Sequence, residues 1–315
     1  MKTLSAAFAL TGAAALVLIG ATPAHAAGNA IDPGDSLYSI SCDSNWNLWQ
    51  LFGVDSTTAF STKIGDGSGS TPDSPACAGQ PAYDFTTGSS YYIQWYYDGD
   101  VNVASLAKID TGTGASTTIN EFVWVNGEFP TAINVDAIAI GPNSTAFALA
   151  EGVLYSLNLA NADLTPVGSS LVDTYAFAYD QKTGQYYAID DSRDIFTVDV
   201  TDGSFDYIDT VAIPGEDGIY SLQFDEAGTF WVQADEDSEG GAGLYSFTLA
   251  TVGAPVYSGS FTDDPYYTEA LLIVPGAALA ATGTDLGAIV PLAAGAGALA
   301  LVGMALLIVR RRRAA

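Results

Sequence analysis

Histidine, cysteine and basic residues are scarce in this sequence, and each shortage excludes a class of chemistry. Among 315 residues there are one histidine, two cysteines and nine lysines and arginines. The histidine, His25, lies in an N-terminal segment that we expect to be removed, so Ser-His-Asp triads, Cys-His pairs and histidine-ligated zinc are not expected in the mature chain. Glycine-rich phosphate loops and dinucleotide fingerprints are also missing from the sequence. We therefore do not expect an enzyme of these common classes.

The shortage of basic residues leaves a strongly acidic body. Residues 27–283 hold 4 of the 9 basic residues and 35 of the 36 acidic ones, because only Asp285 lies outside, so their formal charge is −31. The four basic residues are Lys63, Lys108, Lys182 and Arg193. A body of this charge repels nucleic acid and anionic lipid, which excludes a nucleic-acid function. The acidity serves solubility in one interpretation and cation binding in the other.

Helical periodicity is absent as well, and a repeat of short strands takes its place. Gly, Pro, Asn, Asp and Ser interrupt the chain throughout, and no apolar stripe of period 3.6 exceeds two turns. Each repeat unit begins with a strand that ends in a turn signal, as in "AFAYDQKTG" (176–184), and continues with an aromatic strand, as in "QYYAI" (185–189). Two further strands follow, as in "DIFTV" (194–198) and "DGSFDYIDTV" (202–211).

Four strands per repeat, recurring every 40–58 residues, predict an all-β fold, a β-propeller of about five four-stranded blades. The blades are expected at 268–275 with 35–67, then 81–122, 132–169, 173–211 and 218–260. The first blade would be completed by the last strand, so that the two ends of the domain pair and no edge strand is left. A two-sheet sandwich is the alternative fold. A sixth blade would need strands in 123–134, which we interpret as an insertion.

One aromatic residue recurs at the second strand of each unit, and these five residues are expected to pack between blades. They are Tyr38, Tyr92, Phe147, Tyr187 and Trp231.

Both ends of the chain carry targeting signals. Lys2, the apolar run 6–20 and the small-x-small sequence Ala24-His25-Ala26 predict a signal peptide at 1–26. Residues 286–309 have no charge and would span roughly 36 Å as a helix, enough for a hydrocarbon core of about 30 Å. Four arginines follow at 310–313, which places the tail 310–315 in the cytoplasm. We expect a linker at 27–34, an extracellular propeller at 35–275, a second linker at 276–285 and a transmembrane helix at 286–309.

The C-terminal order of motif, apolar span and basic tail resembles that of sortase-anchored surface proteins of Gram-positive bacteria. The motif is Leu279-Ala280-Ala281-Thr282-Gly283, similar to the Leu-Ala-x-Thr-Gly variant of Leu-Pro-x-Thr-Gly in actinobacteria. The resemblance implies that a sortase cleaves between Thr282 and Gly283 and joins Thr282 to peptidoglycan. Without cleavage, the protein would stay in the membrane through its helix. The body is similar in rhythm to secreted propellers with Tyr-Tyr and Leu-Tyr repeats, a likeness that implies a fold and no activity.

Three further features are candidates for bonds or ligands. Cys42 and Cys77, the only cysteines of an exported chain, are expected to form a disulfide. The alternating acids of "DEDSEGGAG" (235–243), followed by glycines, suggest either a weak calcium site or an ordinary acidic hairpin loop. The candidate calcium ligands are Asp235, Asp237 and Glu239.

"YYIQWYYDGD" (91–100) places Trp95, Tyr96 and Tyr97 at a strand end, where they either stack on sugars or cover a blade edge. Taken together, the sequence predicts an exported, anchored propeller that acts as a non-catalytic binding or structural module of the cell envelope. Its ligand would be an envelope glycan or protein, and it would need no cofactor unless it binds calcium. The alternative is a calcium-dependent propeller hydrolase, lactonase-like or glycosidase-like. An enzyme would show Asp, Asn or Glu clustered at one mouth of the central channel, and a binding module would show aromatic residues at the rim and no buried carboxylate group.

Overall fold

The computed structural model describes most of the predicted propeller domain. The described residues are 28–43, 49–68, 76–98, 101–124, 131–133, 135–169, 174–213, 218–236, 241–261 and 266–276. The predicted signal peptide, sorting motif, transmembrane helix and basic tail lie outside them. Within the described residues, no helix is long and apolar enough to cross a membrane.

The described chain forms 22 strands and two short 3₁₀ turns, Pro142–Ser144 and Leu249–Thr251. The strands are β1 (Ser36–Asp43), β2 (Trp49–Val54), β3 (Ser61–Ser68), β4 (Ala76–Asp84), β5 (Ser89–Asp98), β6 (Val101–Ile109), β7 (Ser116–Glu121), β8 (Val123–Trp124), β9 (Thr131–Ala132), β10 (Ala137–Ile140), β11 (Ala146–Ala150), β12 (Val153–Leu157), β13 (Asp163–Ser169), β14 (Thr174–Asp180), β15 (Gln185–Asp190), β16 (Asp194–Asp199), β17 (Ser204–Thr210), β18 (Ile219–Phe224), β19 (Phe230–Glu236), β20 (Gly241–Phe247), β21 (Val256–Ser260) and β22 (Tyr266–Val274).

These strands form five antiparallel four-stranded blades, and the predicted β-propeller is confirmed. From the inner to the outer strand, blade 1 is β22-β1-β2-β3, blade 2 is β4-β5-β6-β7, blade 3 is β10-β11-β12-β13, blade 4 is β14-β15-β16-β17 and blade 5 is β18-β19-β20-β21. The inner strands neighbour one another in the cyclic order β22, β4, β10, β14, β18, which closes the ring. The short hairpin β8-β9 adds to the outer edge of blade 3, where β8 runs parallel to β13, so 123–134 is an insertion and not a sixth blade.

The two ends of the domain share blade 1, as predicted. Strand β22 pairs antiparallel with β1, with Leu37 opposite Ile273 and Ile40 opposite Ala270. Asp35, just before β1, accepts hydrogen bonds from the amides of Gly276 (3.1 Å) and of Glu226 in blade 5 (3.0 Å). Closure therefore joins three parts of the chain and removes the free edge of an open ring.

Each of the five interfaces between blades has its own apolar cluster, and one aromatic residue recurs in all of them. At the same register of each second strand stand Tyr38, Tyr91, Phe147, Tyr187 and Trp231, which pack into the interfaces of blades 1–2, 2–3, 3–4, 4–5 and 5–1 respectively. The prediction that Tyr92 packs between blades is confirmed, but Tyr92 lies in the blade 1–2 interface, and the residue of blade 2 at the equivalent register is its neighbour Tyr91. Since side chains alternate along a strand, Tyr92 points the other way and packs on Trp49 of blade 1, with ring centroids 5.2 Å apart.

The propeller axis is closed by glutamine side chains. Each inner strand has one residue at the same level of the axis. These residues are Gln80, Ala137, Ala176, Ser221 and Ala270, so one long polar side chain stands among four small residues. The Gln80 amide donates to the Phe177 (2.7 Å) and Leu222 (3.0 Å) carbonyls and accepts from the Phe177 amide (3.0 Å). Gln223 returns a hydrogen bond to the Pro81 carbonyl at 2.9 Å. These bonds satisfy backbone groups that the inner strands leave unpaired, and they block a continuous channel.

Because successive strands of each blade are antiparallel, the connections between strands lie on two different faces of the propeller. The turn face carries the connections from first to second and from third to fourth strands, including 84–88, 180–184, 110–114 and 199–203. The crossover face carries the connections from second to third strands and from one blade to the next. The domain's two ends, at Asp35 and Gly276, lie on the turn face, because β22 ends there and β1 begins there.

Candidate ligand-binding site

Five residues surround the axis at the crossover face. Each stands five positions before an equivalent residue on the turn face, which is the last residue of the inner strand or the residue just after it: Asp84, Gly141, Asp180, Asp225 and Val274. The five are Gly79, Asp136, Tyr175, Tyr220 and Glu269. We call this ring the crossover mouth.

Four members of the crossover mouth are extra residues of β-bulges. The register shifts between Thr174 and Ala176 and between Ile219 and Ser221, so Tyr175 and Tyr220 are the unpaired residues. Gly79 and Glu269 lie in the corresponding shifts of β4 and β22. A bulge turns a side chain away from the regular alternation, which explains how two tyrosines leave the blade interfaces.

Tyr175 and Tyr220 form an exposed aromatic pair. Their side chains are 41% and 40% exposed, and their ring centroids are 5.9 Å apart with the planes at 46°. The tyrosines come from the inner strands of two adjacent blades. Large amphipathic rings in such a position offer apolar area and a polar tip to a ligand.

Carboxylates dominate the charge near the tyrosine pair. Asp190 ends β15 opposite Thr174, directly beside Tyr175, and burial raises its pKa although the amide of Asp194 donates to it at 2.8 Å. Asp191 follows in the same turn and is exposed. The Arg193 guanidinium donates to the Ile213 carbonyl at 2.8 Å. The local charge is therefore negative even with this one arginine included.

The structure describes only part of the predicted aromatic site. Trp95 is half-buried against the blade 2–3 cluster, and its ring lies over Gly79, where an added Cβ would come within 3.2 Å of the indole. This contact places Trp95 at the level of the crossover mouth. The strand continues through Tyr96 and Tyr97, opposite Ala76 and Asn102, and the side chains of these two tyrosines lie outside what the structure describes.

The other predicted site residues also belong to the crossover face or lie outside the described chain. The disulfide between Cys42 and Cys77 is confirmed; it joins blade 1 to blade 2 with the Cα atoms 5.5 Å apart. Asp235 lies in β19 opposite Ala242, while Asp237 and Glu239 are outside the described residues. Among the residues that the structure does describe, no three Asp, Glu, His or Cys side chains form a group suited to a metal ion.

The turn face has buried carboxylates, and these serve the turns. Asp84 accepts from the Thr86 amide (2.9 Å), the Thr87 hydroxyl (2.6 Å) and the Ser144 hydroxyl of blade 3 (2.8 Å). Asp180 repeats the first two bonds with Lys182 and Thr183. Asp225 accepts from the Thr229 amide and the Trp231 indole. These carboxylates use their oxygens within the fold, as caps of Asx turns do.

A depression lies at the axis on the turn face. It measures about 310 Å³ including space open to solvent, and residues of all five blades line it, among them Tyr83, Ile140, Tyr179, Phe224 and Ile273. Gln223 is also among its lining residues. The side chains offer no acid-base pair in this lining, and the bonded glutamines separate it from the crossover mouth.

Sequence reasoning missed Gln80, Tyr175 and Tyr220, although a signal for the tyrosines was present. Tyr175 precedes Asp180 by five residues, and Tyr220 precedes Asp225 by the same interval. Aligning the repeats on the aspartate would have matched the two tyrosines. Gln80 has no counterpart in the other repeats, so its role depends on the ring.

Comparison with known proteins yields likenesses of fold. No protein-family model matches the chain, and no curated protein matches it. A solved structural genomics protein of unknown function from Bacteroides thetaiotaomicron aligns with a TM-score of 0.42 and 12% identity, over 69% of this chain and 62% of its own. The alignment thus spans about three fifths of that protein. A protein of unknown function from Bacteroides caccae aligns with a TM-score of 0.43 and 10% identity, over 76% of this chain and 99% of its own.

Proposed function

We propose that the protein is an exported β-propeller, anchored to the cell envelope by its C-terminus, that acts as a non-catalytic binding module through its crossover face. The signal peptide, sorting motif Leu279–Gly283, apolar span and arginines of the sequence motivate export and anchoring. The fold itself is compatible with many activities, so the binding role depends on the site.

The observation that carries the proposal is where the chain leaves the propeller. Strand β22 ends at Val274 and the described chain ends at Gly276, on the turn face. Only Ala277 and Ala278 then precede Leu279, a reach on the order of 10 Å. A tether this short would hold the turn face toward the wall or membrane. The crossover face, with its aromatic mouth, would then point outward.

Anchoring is tested by mass spectrometry of cell-wall digests. We expect a mature chain that ends at Thr282 and is joined to a wall peptide. Thr282→Ala should abolish this product and leave the C-terminal span attached, whereas Thr284→Ala, one residue beyond the motif, should leave the product unchanged. An intact C-terminal tail on the wild-type protein in the wall fraction would contradict sortase anchoring.

Orientation is tested with an epitope tag on whole cells. A tag inserted in the crossover connection at 214–217 should be accessible to an antibody, and the same tag in the turn 181–183 should be accessible only after the wall is digested. Equal accessibility of both tags would contradict an outward crossover face.

A further inference from the structure

The tyrosine pair of the crossover mouth is set apart from the other exposed aromatic side chains of the described residues. Phe60 lies in an outer turn and Tyr207 lies on the outer strand β17, each 58% exposed. Tyr175 and Tyr220 instead stand at the axis, on bulges of two adjacent blades, with their rings in contact. Two bulges at one register that expose the same residue type concentrate aromatic area at a single point of the crossover face.

This aromatic area lies in an acidic field. The body carries a formal charge of −31. Asp190 pairs with Thr174, the residue before Tyr175 on blade 4, and the exposed Asp191 follows Asp190 in the chain. Asp136 holds one of the five register positions of the crossover mouth. Such a field repels anionic ligands and attracts cations over a distance set by ionic strength.

Aromatic rings beside carboxylates suit a positively charged amine. The face of a tyrosine ring attracts an ammonium group within about 6 Å, and neighbouring carboxylates add to the attraction. The protein itself contains one instance, since the Lys108 amine lies 4.9 Å from the centre of the Tyr91 ring. Neutral sugars would use the rings without using the charge.

We propose that the crossover mouth binds a lysine-rich polypeptide segment of another protein, whose ammonium groups lie against Tyr175 and Tyr220. This inference depends on the binding role proposed above and specifies the chemistry of the partner. The partner's side-chain amines supply the positive charge that the propeller lacks, and complementarity of this kind increases the rate of association.

The test measures affinity of the full-length chain, solubilised in a nonionic detergent, for an octalysine peptide at 0.15 M and 0.5 M salt. High salt screens attraction by the body as a whole, so the contribution of the rings becomes distinct. Tyr175→Ala and Tyr220→Ala should each weaken binding about two- to fivefold at both salt concentrations. Tyr175→Phe should retain affinity because it keeps the ring.

Tyr207→Ala is the matched control, an exposed tyrosine on the outer strand, and should bind as the wild type does. Equal affinities of the Tyr175, Tyr220 and Tyr207 variants would overturn the proposal, because binding would then be due to overall charge. Binding of a neutral N-acetylglucosamine oligomer that the Tyr175 and Tyr220 variants lose, without loss of octalysine binding, would overturn it in favour of a sugar. Neither result depends on wall anchoring, which the digests measure separately.

Discussion

The two faces of the propeller are built from different devices. On the turn face, buried or partly buried aspartates cap one turn after another, and contacts between turns join adjacent blades, as between Asp84 and Ser144. On the crossover face, β-bulges recur on four of the five inner strands, and a disulfide and two exposed tyrosines are found in single blades or blade pairs. The hydrogen-bonded caps of the turn face stabilise the ring, whereas the bulges of the crossover face leave two tyrosine side chains exposed. The described chain also ends on the turn face, at Gly276, so the proposed tether and the proposed binding site would be on opposite faces.

The axis between the faces should be the most sensitive position. Gln80→Ala would leave the Phe177 and Leu222 backbone groups without their partners in a buried site, so we expect a loss of about 3–5 kcal/mol in the free energy of unfolding. Gln94→Ala is the control, because the Gln94 side chain accepts one exposed bond from Thr118 at 2.9 Å. Urea denaturation measures both. A loss at Gln80 no larger than at Gln94 would mean that the axis is not held by this residue.

The disulfide should be the main covalent support of the crossover face. Replacing both Cys42 and Cys77 by alanine should lower the free energy of unfolding by about 3 kcal/mol, since the crosslink restricts the unfolded chain. Removing only Cys42 tests the same bond with a free thiol left at Cys77. Denaturation with and without reductant measures the effect. Once the disulfide of the wild type is reduced, the wild type and the double variant should have the same free energy of unfolding. If reduction leaves wild-type stability unchanged, the noncovalent contacts between blades 1 and 2 suffice.

The caps of the turn face should come next in size. Asp84→Ala removes three hydrogen bonds in a buried position, one of them to blade 3, and should cost about 2 kcal/mol. Asp110 occupies an exposed outer turn and accepts only from the amides of Gly112 and Thr113. Asp110→Ala should therefore cost about 1 kcal/mol or less. Thermal or urea unfolding compares the two, and equal losses would show that burial of the cap is unimportant.

The pH dependence should differ between carboxylates of the turn face. Burial raises the pKa of Asp35, although the amides of Glu226 and Gly276 donate to it, and the charges of Asp225 and Asp32 raise the pKa further. The protonated form is thus favoured by folding, so the stability associated with Asp35 is complete below about 3.8 and is lost as the pH rises through the raised value. We expect the contribution of Asp35 to stability to increase as the pH falls from neutral toward about 3.8.

Asp35→Asn should flatten this increase. Asp199→Asn is the control, because hydrogen bonds from Thr201 lower the pKa of Asp199, which then loses its contribution only at more acidic pH. Unfolding curves between pH 4 and pH 7 measure the slopes. A slope at Asp35→Asn as steep as in the wild type would assign the increase to other carboxylates.

The smallest effect on stability should be at the crossover mouth. Tyr175→Ala should change the free energy of unfolding by no more than about 1 kcal/mol, because the side chain is largely exposed. Tyr187→Ala, at 4% exposure in the blade 4–5 interface, should cost about 3–5 kcal/mol. Denaturation of the two variants compares the loss of an exposed tyrosine with the loss of a buried one. A comparable loss at Tyr175 would make it a structural residue.

The repeats in the sequence predicted the five blades, but not the residues that differ from one blade to the next. Period-2 strands, turn residues and a last strand without followers predicted five blades and the pairing of β22 with β1, because these are local patterns repeated many times. The aromatic residue of blade 2 was taken as Tyr92 and not Tyr91, because two adjacent tyrosines read alike until the pairing of β4 with β5 assigns each to a side. The sequence also showed Trp95 but could not show that Gly79 lies beneath it.

The sequence by itself determined the all-β propeller, its closure and the disulfide, since strand period, turn chemistry, the unpaired end strands and a single pair of cysteines can be read directly from the order of residues. Only the tertiary structure decided that Gln80 closes the axis and that Tyr175 meets Tyr220. Gln80 bonds to residues 97 and 142 positions away, and the tyrosines are brought together by bulges at the same register of adjacent blades. Contacts of this kind exist only after the ring has closed, because it is closure that brings the five inner strands around one axis.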